Sequence, residues 1–74
     1  MTDNIATLLA QIHRKIGNNF EMHLSDSGNE FVCRISTFAS EDLKDSLDQD
    51  FEEYDRIPGD AVLAALQLAN KGLK

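Results

Sequence analysis

The chain has no tryptophan, one cysteine, one proline, one tyrosine and four glycines, and only seven Lys and Arg against thirteen Asp and Glu. Each scarcity excludes something. A lone Cys33 cannot form an internal disulfide, so the usual staple of small secreted domains is missing and a reducing, cytoplasmic setting is expected. Few bases and a net charge of −6 leave too little clustered Lys and Arg to neutralise phosphate backbones or anionic membrane surfaces, which argues against both as direct partners. No apolar run approaches the roughly 20 residues that a membrane span requires. Met1 to Ala10 has neither the basic start nor the apolar stretch of a secretory leader.

What is present is enough for one folded domain over residues 1–74. A hydrophobic fraction of 42% argues against disorder at this charge. A chain this short buries only about 60% of the surface that its unfolded form exposes. Its core alone should then supply on the order of 3–5 kcal/mol.

Residues 4–16 carry the clearest helical period. Ile5, Leu8, Leu9, Ile12 and Ile16 fall on one face, with Thr7, Gln11, Arg14 and Lys15 opposite. Asp3 or Thr2 is expected to cap its start. His13, Arg14 and Lys15 suit the negative end of the helix dipole, and Gly17 suits the stop. A hairpin should follow. Phe20, Met22 and Leu24 alternate with Glu21 and His23, Ser25 to Asn29 is turn chemistry in which Gly28 or Asn29 can take positive φ, and Phe31, Cys33 and Ile35 alternate again.

Residues 40–55 admit two readings. Ser40 before Glu41 and Asp42 looks like a helix start, and Leu43, Leu47, Phe51 and Tyr54 share one side of a helical wheel. A third strand near 50–56 is the competing assignment, and the helix is preferred because Phe51 and Tyr54 would point to opposite faces of a strand. The last helix should begin at Pro58-Gly59-Asp60, with Asp60 as cap, and stop at Gly72. Val62, Ala65, Leu66 and Ala69 centre its apolar face, and the Ala61/Ala65/Ala69 row allows close approach to a sheet. Leu63 falls on the other side with Gln67 and Asn70. The fold class is therefore α+β: a small two-layer domain with an N-terminal helix, an antiparallel hairpin and one or two C-terminal helices packed on the sheet.

The negative charge is local. Residues 41–60 hold nine acids against Lys44 and Arg56, a net of −7, while the rest of the chain holds four acids and five bases, a net of +1. As a helix, this stretch places Asp45, Asp48, Glu52 and Asp55 in one row, where like charges repel by about 0.2–0.5 kcal/mol per close pair. A solvated, solubilising face explains such a row. A docking surface for a basic partner explains it too, and so does weak divalent-cation binding.

Specific chemistry is hard to find. A calcium loop starting at Asp48 fits at Asp50 and Glu52 but has Glu53 where glycine is needed and Gly59 where the bidentate Glu is needed. His13, His23 and Cys33 lack metal-ligand spacing, and Cys33 shares the apolar face of the hairpin, as a structural thiol would. No serine sits in a nucleophile elbow and no glycine cluster makes a phosphate loop. Neither an enzyme nor a cofactor is expected.

The order helix, strand, strand, a fourth element and a closing helix, with the run Gly59-Asp60-Ala61-Val62-Leu63-Ala64-Ala65-Leu66, resembles small phage- and prophage-encoded accessory proteins. Many of those are α-β-β-β-α sandwiches with a similar Ala/Leu helix at the end. The resemblance covers the outline of the chain and carries no functional residues. It implies a third strand over Phe51 to Arg56 and a host-directed or defence-countering role. The order is also similar to double-stranded-RNA-binding domains, but Pro58-Gly59-Asp60 stands where that family has a basic cluster.

The expected function is a non-enzymatic interaction protein. Its 41–60 surface would dock a basic protein, such as a nucleic-acid-binding protein whose phosphate groove the carboxylates mimic, with Asp45, Asp48, Glu52 and Asp55 as charge contacts. Phe51 and Tyr54 would be the anchors. The alternatives are a homodimer through an exposed Leu63 and a protein that binds divalent cations weakly.

Overall fold

The computed structural model describes residues 4–38 and 47–73, and only the main chain of Leu47 and Asp48. Helix α1 (Ile5–Ile16) leads into strands β1 (Phe20–Asp26), β2 (Phe31–Phe38) and β3 (Leu47–Asp55), and helix α2 (Pro58–Gly72) closes the chain. The strands form one antiparallel sheet in the order β1-β2-β3. Helix α2 packs across β2 and β3, and α1 lies against α2. The result is the expected two-layer α+β arrangement, with both described helices on one face of the sheet.

Local chemistry explains most of the boundaries. At α1 the N-cap is Asn4, whose side chain accepts a 2.8 Å bond from Thr7 N–H; Thr2 and Asp3 lie outside the described residues. Gly17 ends α1 at φ 65°, and its N–H bonds the His13 carbonyl at 2.8 Å. In the hairpin, Gly28 takes positive φ (101°) and Asn29 does not. The loop is closed by Ser27 N–H to the Glu30 carbonyl at 2.8 Å. A glycine in the first of two loop positions is the requirement of a type II′ turn.

Residues 47–55 are extended, which corrects the preference for a helix there; residues 40–46 of that reading lie outside the described residues. The physical reason is the sheet itself. As a strand, β3 places Phe51 against Ile35 of the central strand and under α2, and its main-chain groups complete the ladder of β2. The helical stripe would have left that side of β2 unpaired. Tertiary pairing thus outweighs a local wheel pattern. A register shift between Thr37 and Phe38 interrupts the ladder. Thr37 spans it, accepting from Gln49 N–H at 3.0 Å and donating to the Gln49 carbonyl at 3.3 Å.

The start of α2 also differs from expectation. The cap is Ile57, Pro58 occupies the first turn, and Asp60 sits inside that turn, near the positive end of the dipole. Proline suits this place because its missing N–H would have had no helical partner. The helix runs through Gly72, with Leu73 as C-cap.

The core lies between the helices and the inner sheet face. Leu8 and Ile12 of α1 meet Ala61, Val62, Ala65, Leu66 and Ala69 of α2 over Cys33 and Ile35. The alanine row faces inward as expected, and small side chains let α2 sit close to the sheet. At Gly72 this closeness is extreme: a methyl group there would overlap the Phe51 ring, coming within 2.8 Å of Cζ. Polar contacts join the helix ends. Lys15 Nζ donates to the carbonyls of Asn70 (2.6 Å) and Leu73 (3.1 Å), and Asn70 Nδ2 donates to Gln11 Oε1 (2.6 Å).

Candidate functional site: the open face and two edges of the sheet

With the helices on one side, the other sheet face is built of three rungs. The register aligns Glu21–Ser36–Asp50, His23–Arg34–Glu52 and Ser25–Val32–Tyr54 across β1, β2 and β3. Arg34 is the only Lys or Arg among these nine positions. It reaches β3, donating through Nε (3.0 Å) and Nη2 (2.8 Å) to Glu52 Oε2. That hydrogen bond, together with the attraction of the carboxylate, raises the guanidinium pKa further above its ordinary value. On β1, His23 Nε2 lies 3.2 Å from Glu21 Oε2. Between them His23, Ser25, Val32, Arg34 and Glu52 line a small surface cleft. Ser36 is buried at one end of this face, whereas Asp50, Glu52 and Tyr54 are exposed.

The strand assignment redistributes the acidic residues. Glu52 and Asp55 do not share a row, because residues three apart in a strand point to opposite faces. Asp45 and the side chain of Asp48 lie outside the described residues. Phe51 is not an exposed anchor: it packs half-buried against the core, under α2 beside Gly72. Tyr54 keeps the exposure expected of it, at 53%. Leu63 is not fully exposed as expected: it is half-buried against the core and borders a groove with Ile5.

Two residues of this face are not among the contacts expected from sequence. Asp50 enters the sequence reading only as a position of the failed calcium loop, and the helical row of acids leaves it out. The period-2 series Asp48, Asp50, Glu52, Tyr54, interleaved with Gln49, Phe51, Glu53 and Asp55, was the available signal. Arg34 carried no signal of its own, since its role depends on which residue β3 places opposite it.

The main chain adds a further distinction. In antiparallel pairs, alternate residues bond across the ladder and those between them turn their N–H and C=O outward. The bonds from Ser27 N–H to Glu30 and from Phe38 N–H to Asn19 set the phase of the β1–β2 ladder. Phe20, Met22, Leu24 and Asp26 therefore direct main-chain groups to the outer edge of β1, which no strand among the described residues pairs. The same alternation carried through β2 leaves Asp50, Glu52 and Tyr54 directing theirs to the outer edge of β3, which is likewise unpaired among the described residues. The β3 edge thus offers open hydrogen-bonding groups beside exposed acids and a tyrosine. The β1 edge offers them beside Met22 and Leu24, which sit on the helix-facing side yet are 39% and 48% exposed.

Among the described residues, no group of three or more His, Cys, Asp or Glu is placed to hold a metal ion. Cys33 is fully buried, and burial raises its thiol pKa, which disfavours the reactive thiolate. No helix among the described residues is long and apolar enough to cross a membrane. Comparison with protein families, curated proteins and solved structures finds no match.

Proposed function

We propose that this protein is a non-enzymatic interaction module that receives a basic, extended segment of a partner protein along the free edge of β3. The observation that carries the reading is the coincidence at Asp50, Glu52 and Tyr54. Their main-chain groups face the edge, and their side chains stand exposed on the open face. A strand added there gains main-chain hydrogen bonds, and alternate Lys or Arg side chains fall opposite alternate acids, about 6.8 Å apart along the strand. Tyr54 supplies an amphipathic anchor beside Val32. Arg34, held by Glu52, keeps one acid oriented across the face.

Charge complementarity of this kind mainly accelerates encounter and selects partners, with affinity coming from the strand pairing and the anchor. A nucleic-acid-binding protein, already basic, is one partner class that fits, and a host-directed role in the cytoplasm is one setting for it. The test is a titration with a labelled peptide of alternating Lys and Val, and with its Glu counterpart. The Lys peptide should bind at low salt and weaken steeply as salt is added, and the Glu peptide should not bind. Asp50→Asn with Glu52→Gln should remove the binding. Failure of the Lys peptide to bind, or binding indifferent to the double substitution, contradicts the reading.

A further inference from the structure

The β1 edge differs from the β3 edge in a way that selects a different occupant. We infer that β1 pairs antiparallel with β1 of a second copy of this chain, joining two three-stranded sheets into one of six strands across a two-fold axis. Edge-facing residues must meet edge-facing residues in such a pair. The register that uses the whole of β1 meets this condition and centres on His23. It sets Met22 opposite Leu24 of the second copy, Phe20 opposite Asp26, and Glu21 opposite Ser25.

Three observations support this occupant. First, Met22 and Leu24 are exposed apolar side chains on the helix-facing side, where α2 covers β2 and β3 instead. Two-fold pairing turns them into a strip of four, Met22 and Leu24 from each copy, between the two helix layers. Second, the charges are compatible. No acid faces an acid, and Glu21 lies diagonally from His23 of the second copy, within reach of a long side chain. Third, the other edge excludes the same event. Full-length self-pairing of β3 would centre on Phe51 and set Asp50 against Glu52 twice, and like charges directly opposite are destabilising. Charge on an exposed strand is a recognised guard against edge-to-edge association. Here that guard stands on one edge only.

At the two-fold axis His23 meets His23 in a non-hydrogen-bonded pair. Cα atoms in such pairs are about 4.5 Å apart, within the range that a disulfide spans. His23→Cys should therefore give a disulfide-linked dimer on mild oxidation, and Ser25→Cys, which faces Glu21 of the second copy, should not. The buried Cys33 stays out of the reaction. In sedimentation of the unmodified chain, a dimer is expected that Leu24→Lys weakens about tenfold or more. Leu68→Lys, an exposed apolar position on α2, should leave the dimer unchanged. A strict monomer at every concentration overturns the inference, as does a dimer insensitive to Leu24→Lys. So does a His23→Cys chain that links no faster than Ser25→Cys. These outcomes are independent of peptide binding at β3.

Discussion

The two edge strands of this sheet are similar in length, seven residues in β1 and nine in β3, and both expose main-chain groups on one side. Their side chains divide the chemistry between them. β3 carries Asp48, Asp50, Glu52, Glu53 and Asp55 with no base, and its largest apolar residue, Phe51, is turned inward under α2. β1 carries two acids and a histidine, and its apolar pair Met22 and Leu24 is left exposed. An edge strand can remain single because its charges repel a second copy, or it can be left open because something pairs with it. The contrast teaches that much of the acidity sits on one edge strand, since β3 carries five acids and no base in a chain of net charge −6. On the proposed reading this acidity repels self-association there and attracts a basic strand.

The sharpest way to break the comparison is to remove the charges that define β3. Replacing Asp50 and Glu52 together by Val should make that edge self-associating, and light scattering should show large, salt-insensitive species in place of a defined dimer, since both edges would then pair. Unchanged size would mean that charge does not guard β3.

A smaller effect concerns how β3 is held. Phe51 fixes the strand beneath α2 only because residue 72 has no side chain. Gly72→Ala should cost about 1–3 kcal/mol in chemical unfolding, typical of overpacking, although alanine is the better helix former. A neutral or stabilising result would show that the ring moves aside freely.

Between the edges, β2 supplies a pH-dependent term. Burial raises the Cys33 thiol pKa in the folded state, so the unfolded chain loses its proton first. Stability from this group is complete below the ordinary thiol value of about 8.5 and declines as pH rises above it. Thiol-specific labelling of the native protein at mildly alkaline pH should be slow and should become fast on unfolding. Prompt labelling would place the thiol in contact with solvent.

The smallest effect is expected on β1. Met22→Thr with Leu24→Thr should change the stability of the monomer by within about 0.5 kcal/mol, because exposed strand positions that touch little are tolerant. The same pair should nevertheless weaken self-association. A large loss of monomer stability would show that these side chains already belong to the core.

Much of this architecture was legible in the sequence. The α1 face of Ile5, Leu8 and Ile12, the hairpin around Gly28 and the inward alanine row of α2 follow from patterns that local geometry obeys. Residues 47–55 read as a helix because Leu47, Phe51 and Tyr54 are spaced as on one, and the wheel cannot weigh the hydrogen bonds that β2 leaves open. The candidate site inherited that error. Helical spacing grouped Glu52 with Asp55, which a strand separates, and promoted Phe51 to an anchor that the core uses instead. Tyr54 is exposed because, two residues on from Glu52, it faces away from the helices. The exposure of Met22 and Leu24 was out of reach, since their alternation reads as a buried face and only the position of the helices shows that β1 is left uncovered.

The contrast between the edges is tested most directly by residue-resolved amide hydrogen exchange at low and high protein concentration. The amides of Met22 and Leu24, which face the free edge of β1, should gain protection as concentration rises, while those of Asp50, Glu52 and Tyr54 should not. Equal behaviour at the two edges, or protection confined to α2, would contradict the account.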